Sequence, residues 1–507
     1  MIATNFSQER YWHPYLIALF PVLSLYATNE SAVRVADVLL PLVAVMIFAV
    51  LTVTVFKALL PSREKAFLAA SWTIGCFFSY GIVFVGGDYV YRTFRHGFVW
   101  PHWLGLPTWG VIWLSGTIFI FFWRRGLDRA NRFVNLMSLF LLVIAILAIA
   151  RNMYSEDRLE ASTHAALDRR QFALQMPSPA RDVYFLVFDR YAGANTLLNK
   201  YGFDNSKFLD ALRSRGFTVT PDSRANYPRT LLSMASAFNC EYLPEESQSD
   251  LVYAEMLQNN VVVRSLVDIG YTYLHFGNWY QPLRSNKAAS YNMPLSILQS
   301  EFAESIYEMT PLSKILRVRN KYHIGLERFQ EIAEVARDAA PTFVYGHFLL
   351  PHPPYVFAAD TSQVPWAKSR FGDTKDLYIG QLEATNTLIL KMVDEVLESS
   401  TATPIIVLLS DEGPYLLTEE ANLDPKRRIL SRSSILSAYL LPGEDAEGPP
   451  TSISPVNTFR LIFDRYFGTH LGLLPDRTYY WEASDESGRP AIDNKRFIDE
   501  TDLLDAD

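Results

Sequence analysis

The stretch Pro404-Ile405-Ile406-Val407-Leu408-Leu409-Ser410-Asp411-Glu412-Gly413 brings two adjacent carboxylates to the end of a short apolar run. Carboxylates of this kind hold divalent cations or move protons once other groups join them. Candidates for joining them stand at other run ends. Val183-Tyr184-Phe185-Leu186-Val187-Phe188-Asp189 closes on a carboxylate in the same way. Asn226-Tyr227-Pro228-Arg229-Thr230 offers a hydroxyl beside Arg224 and Arg229. Phe343 to Leu350 carries His347 within an apolar run, and Pro351-His352-Pro353-Pro354 holds a second histidine in a proline-stiffened loop.

The elements that would position these groups follow from the pattern. Unbroken apolar runs at 183–188, 343–350 and 404–409 read as strands buried on both faces, the signature of a mostly parallel sheet covered by helices. Such sheets place their ligands beyond the carboxyl ends of the strands, where Asp189, His352, Asp411 and Glu412 fall. Pro228 discourages helix before it, so Thr230 is expected to open a helix and to present free N–H groups to an anion. A plain N-cap is the simpler role for Thr230. His347, inside its strand, reads first as a satisfied core histidine. Residues 204–215 and 376–399 read as helices, the latter with Leu382, Leu388, Ile389, Met392, Val393 and Val396 as its buried stripe. Ser434 to Leu441 reads as a further strand and Pro455 to Phe467 as a helix.

Composition divides the chain. Residues 1–152 are crowded with apolar runs at 12–28, 38–60, 66–86, 104–123 and 133–150, read as about five membrane spans. Loops on one side hold Arg10, Lys57, Arg63, Lys65, Arg124, Arg125, Arg129 and Arg132, and those on the other hold Arg34, Arg92 and Arg95. That bias places the N-terminus in the cytoplasm and everything after residue 152 outside. Trp100, Trp103, Trp109 and Trp113 read as interfacial anchors. Residues 153–181 form a connector, 182–483 a catalytic domain, and 484–507 a charged tail expected to be solvated or poorly ordered. A net charge of -8 argues against a nucleic-acid partner, and two distant cysteines argue against a disulfide framework.

One hydroxyl and three carboxylates, Thr230, Asp189, Asp411 and Glu412, suit a hard divalent ion, Mn²⁺ or Mg²⁺, with Zn²⁺ or Ca²⁺ as alternatives. In this order of parts the chain resembles the sulfatase-like branch of the alkaline phosphatase superfamily. Its N-terminal spans followed by an outward catalytic domain look like those of lipoteichoic acid synthases and phosphoethanolamine transferases. The resemblance covers roughly residues 182–470. It implies a phospho-threonine intermediate on Thr230, a metal held by Asp189, Thr230, Asp411 and its neighbour Glu412, and substrate contact or proton transfer by His352. Arg224, Asn226, Arg229 and His347 are the candidates for further substrate contact. The membrane implied is a bacterial inner membrane, with a phospholipid donor and a glycan or lipid acceptor.

The family usually has histidine after the aspartate, where this chain has Glu412. An anionic group there leaves three carboxylates against one divalent ion, so a non-catalytic protein and a phosphate or sulfate ester hydrolase stand as alternatives to the transferase. Formylglycine chemistry does not fit, since Cys240-Glu241-Tyr242-Leu243-Pro244 lacks the Cys-x-Pro-x-Arg pattern and the nucleophile position holds threonine.

Overall fold

The computed structural model describes residues 11–29, 33, 35–94, 102–167, 171–244, 250–278, 280–293, 301–315, 329–332, 334, 341–364, 375–414, 425–443, 448–481 and 496–505. The chain forms two compact units, Met1–Arg158 with Ser296–Val318 and Leu159–Leu295 with Arg319–Asp507.

In the first unit all five apolar stretches are helical: α1 (His13–Asn29), α2 (Val35–Leu59), α3 (Arg63–Phe94), α4 (His102–Phe122) and α5 (Leu127–Leu167). The segments Val35–Leu59, Gly105–Phe122 and Leu127–Arg151 are long and apolar enough to cross a bilayer. Leu39, Val43, Ile47, Val50 and Leu51 on α2 are exposed, as lipid-facing side chains are. Trp109 and Trp113 are turned toward α3, their indoles donating to the Cys76 carbonyl at 2.8 Å and the Thr73 hydroxyl at 3.0 Å. These two tryptophans thus join α4 to α3 by hydrogen bonds. Trp100 lies outside the described residues. The helix Glu301–Glu308 also belongs here, with Phe302 and Ile306 buried among Ala18, Val22, Val38 and Phe78. This segment falls within the 182–483 range read as catalytic, and its short apolar stripe shows why it departs.

The second unit is built on a seven-stranded sheet in the order β2-β7-β6-β1-β5-β3-β4. Its strands are β1 (Val183–Phe188), β2 (Thr218–Val219), β3 (Thr272–Phe276), β4 (Tyr291–Asn292), β5 (Thr342–Phe348), β6 (Ile405–Leu409) and β7 (Ser437–Leu440). β6, β1, β5, β3 and β4 run parallel, β7 runs antiparallel to β6, and β2 pairs antiparallel with β7. Every residue of β1, β5 and β6 is buried, which is what their continuous apolar runs require. Alternation divides them between two cores. Val183, Phe185, Val187, Phe343, Tyr345, Ile405, Val407 and Leu409 pack with the helices Thr230–Asn239, Val261–Asp268 and Thr458–Tyr466. Tyr184, Leu186, Phe188, Ile406 and Leu408 pack on the other face with Leu382, Ile389, Met392 and Val396 of the helix Lys375–Ser399. The fold is the expected helix-covered, mostly parallel sheet.

The C-terminal stretch read as a solvated tail contributes to this unit. β9 (Phe497–Asp499) pairs with β8 (Tyr479–Trp481), and the Phe497 ring stacks on Trp481 at 4.4 Å and meets Tyr227 edge-on at 5.4 Å. Phe497 and Leu504, set among charges, are both buried in the main core and hold the end of the chain through the apolar surface they bury. Phe497→Ala is expected to destabilise the protein by about 3–5 kcal/mol in urea unfolding followed by circular dichroism. A solvated tail would give a change within about 0.5 kcal/mol.

Candidate active site

β6, β1 and β5 end side by side, and their register pairs Val187 with both His347 and Leu409. Asp189 and Asp411 lie two residues further along and so continue the same face. One ligand atom from each of Asp189, His347 and Asp411 lies within 4.8 Å of the others, and all three residues are buried. His347 Nε2 stands 3.8 Å from Asp411 Oδ2, while its Nδ1 meets the Tyr345 hydroxyl at 3.0 Å. The tyrosine thus orients the ring with Nε2 toward the carboxylate.

The turns beyond β1 and β6 are tied together. The Asp189 amide donates to the Phe348 carbonyl at 2.9 Å, and the Tyr191 amide donates to Ser410 Oγ at 3.0 Å. Ser410 Oγ in turn donates to the Glu412 carbonyl at 2.8 Å. Between them Arg190 takes the left-handed conformation, φ 62°, with its carbonyl accepting from the Tyr378 hydroxyl at 3.0 Å. Gly413 admits no side chain, since a Cβ there would come within 2.3 Å of the Ser431 carbonyl.

Thr230 is the first residue of its helix, as its sequence context predicts, and is half-buried. Its hydroxyl is close enough to Asp411 to favour the ionised carboxylate, yet no complete hydrogen bond reaches either Asp411 oxygen. The loop before it is braced from the β8–β9 hairpin. The Tyr479 amide donates to the Asn226 carbonyl at 2.8 Å, and the Tyr227 ring stacks on Tyr479 at 5.4 Å.

The remaining candidates differ in placement. Asn226 uses its amide structurally, donating to the Arg477 carbonyl at 2.8 Å and accepting from the Val456 amide at 2.9 Å. Arg229 forms a two-pronged pair with Asp250, at 3.0 and 2.7 Å. Burial pulls the Arg229 pKa down, and the Asp250 bond and charge, with smaller contributions from Tyr280 and Glu412, together carry it above its ordinary value. Half-buried Arg224 bridges Ser434 through its backbone. His352, also half-buried, turns Nδ1 to the Pro353 carbonyl, and its own carbonyl accepts from buried Gln381 at 2.8 Å.

Glu412 does not belong to the trio of converging ligand atoms. Its Oε1 accepts from Arg190 Nε at 3.3 Å, and its Oε2 stands 3.8 Å from Arg432 Nη2. Neither arginine is prominent in the sequence. Arg190 could be found from its place beside Asp189, but Arg432, in the helix Pro425–Ser433, gives no signal.

Electrostatics mark the group as incomplete without a cation. Burial pushes Asp189 well above the usual carboxylate range and Asp411 adds to the shift, while Arg190 opposes it. Burial raises Asp411 too, with the Thr230 hydroxyl pulling back, and raises Glu412 against Arg190 and Arg432. Among the described residues, Asp189 Oδ1 and both Asp411 oxygens are buried without a hydrogen bond, a costly arrangement unless a positive charge joins them. Ligands at roughly 2.0–2.4 Å from one ion can stand up to about 4.8 Å apart, so the spacing of Asp189, His347 and Asp411 fits a divalent metal.

Neither a family model nor a curated relative matches the chain. Among solved structures it is similar to the C-terminal periplasmic domain of EptC from Escherichia coli, at 13% identity over 66% of this chain and 96% of that one, with a TM-score of 0.42. That domain is also known in complex with zinc. The integral membrane lipooligosaccharide phosphoethanolamine transferase A (EptA) from Neisseria meningitidis aligns at 12% identity over 84% of this chain and 88% of that one, TM-score 0.34. BT1596, a 2-O GAG sulfatase, aligns at 14% identity over 54% and 68%, TM-score 0.35.

The raised carboxyl pKa values fix the sign of a pH effect. Neutral carboxyls are favoured by the metal-free fold, so their contribution is fully present below about pH 4, the ordinary carboxyl range, and is lost as pH rises through the raised values. Chelator-treated protein is therefore expected to lose stability from about pH 4 toward neutrality, and Mn²⁺ to restore it most at the upper end. Thermal melts across pH with EDTA or Mn²⁺ check this, and Asp411→Asn should erase most of the response to metal.

Proposed function

We propose that the chain is a membrane-anchored, metal-dependent phosphotransferase with Thr230 as nucleophile. It moves a phosphoglycerol or phosphoethanolamine group from a membrane phospholipid to an envelope glycan or lipid. The observation that carries this reading is a half-buried hydroxyl at a helix N-terminus acting on a buried carboxylate whose oxygens lack hydrogen bonds. Asp189, Asp411 and Thr230 would hold the ion, with His347 Nε2 completing the set. Three oxygens suit Mn²⁺ or Mg²⁺, and the imidazole nitrogen brings Zn²⁺ into range. When bound, the cation supplies the positive charge that favours the ionised hydroxyl and a phosphate nearby.

The chain's own groups would then divide the work. Thr230 Oγ attacks the phosphorus of the donor diester, and the ester bond to diacylglycerol breaks. The departing oxygen takes a proton, for which His352 is the candidate donor. First-turn N–H groups of the Thr230 helix face charge that develops on the phosphoryl oxygens. An acceptor hydroxyl then attacks phospho-Thr230 and regenerates the free side chain. A bilayer-resident donor accounts for helices apolar enough to span a membrane, with an inner membrane and an extracytoplasmic catalytic unit as the setting.

Detergent-solubilised protein with Mn²⁺ and labelled phosphatidylglycerol or phosphatidylethanolamine is expected to release diacylglycerol and to show a mass adduct on Thr230. Thr230→Ala should lower the rate by at least about a thousandfold. Free headgroup or phosphate without acceptor labelling would assign hydrolysis instead. Metal-loaded protein inert toward both lipids would overturn the reading.

A further inference from the structure

Glu412 is an anion held among cations at the edge of the proposed centre. Its side chain is 7% exposed, and those of Arg190 and Arg432 are 15% and 9% exposed. Arg190 also acts on Asp189 and Asp411, so it belongs to the same electrostatic group. Arg432 donates to the Tyr480 hydroxyl at 3.2 Å and reaches the Pro228 carbonyl at 3.5 Å, two residues before Thr230. Arg229 contributes little net charge, because Asp250 pairs with it.

The count of charges is then simple. Before the Thr230 hydroxyl gives up its proton, three carboxylates and two guanidiniums leave one net negative charge, and a divalent cation turns it into one net positive charge. A phosphodiester carries a single negative charge and neutralises the site. A phosphomonoester carries nearly two near neutral pH and leaves a surplus in a buried setting, where uncompensated charge is costly. Glutamine at position 412 would leave two positive charges, the balance that suits the monoester.

We propose that Glu412 is a positioning residue that, through Arg190 and Arg432, sets the charge of the site to prefer phosphodiesters over phosphomonoesters. The inference rests on the phosphotransfer reading and assigns a residue to the choice of a diester over a monoester. Glu412 itself touches the arginines, not the reacting atoms.

The test compares bis(4-nitrophenyl) phosphate with 4-nitrophenyl phosphate on Mn²⁺-loaded full-length protein. Calorimetric titration with dimethyl phosphate and methyl phosphate gives a second readout, independent of turnover. Glu412→Gln is expected to move the ratio of kcat/KM values about tenfold toward the monoester and to tighten methyl phosphate binding by a similar factor. Glu412→Asp should keep the native ratio, and Arg432→Gln should move it the opposite way. A purely structural role predicts lower activity on both esters with the ratio unchanged. Turnover with a ratio constant within about twofold across these variants overturns the inference and leaves phosphotransfer standing. Absence of turnover and of phosphate binding in the native protein overturns both.

Discussion

The arrangement depends on keeping two aspartates and a histidine at the ends of three adjacent parallel strands, all on one face and all out of water. Buried carboxylates repel one another and lose hydration, so nothing in their own chemistry brings them together. The sheet does so. Eighteen buried-strand positions in β1, β5 and β6 face helices on both sides, and hydrophobic burial at about 25 cal/mol per Å² outweighs a local electrostatic penalty of a few kcal/mol. The site therefore rests on three strands that are buried along their whole length.

Around that constraint, secondary contacts remove freedom from each participant. Tyr345 orients His347, Ser410 joins the turns after β1 and β6, and Tyr378 fixes the carbonyl of Arg190. Gln381 secures the His352 loop by accepting from the Val356 amide at 2.6 Å while donating to the His352 carbonyl. The β8–β9 hairpin braces the loop that leads to Thr230, and Arg432 connects that loop with Glu412. Supporting residues of this kind let a centre hold its geometry before substrate arrives, which is where electrostatic stabilisation of a transition state originates.

The sheet was legible because its signal is dense. Apolar runs at 183–188, 343–348 and 405–409 leave little alternative to buried strands, and the stripe from Leu382 to Val396 leaves little alternative to a packed helix. The charged C-terminus reads as a solvated tail because its apolar residues are few, yet Phe497 and Leu504 are buried and β9 pairs with β8. The site was legible in part. Asp189, Thr230 and Asp411 stand at element ends, but His347 and Glu412 changed roles between sequence and structure. Alternation carries the missing signal: positions 187, 189, 347, 409 and 411 share one parity with the face they occupy, whereas Glu412 has the other. The Arg432 contact joins positions far apart in the chain, and no local pattern could announce it.

Glutamate in place of a neutral residue beside Asp411 looks from sequence like a defect, since it adds negative charge to a site meant to attract phosphate. The structure alters that judgement because the compensating charges come from elements the site already requires. Arg190 lies in the turn after β1, and Arg432 lies in the helix that precedes β7. Neither guanidinium needs a new segment to reach Glu412, and Arg432 is also held by Tyr480 and the Pro228 carbonyl, so little conformational entropy is lost in bringing it there. A carboxylate flanked in this way neutralises its partners and would not compete for a cation. On the proposed phosphotransfer reading, its position would separate two tasks that a neutral ligand would merge, holding the ion and setting the charge that an incoming phosphoryl group meets.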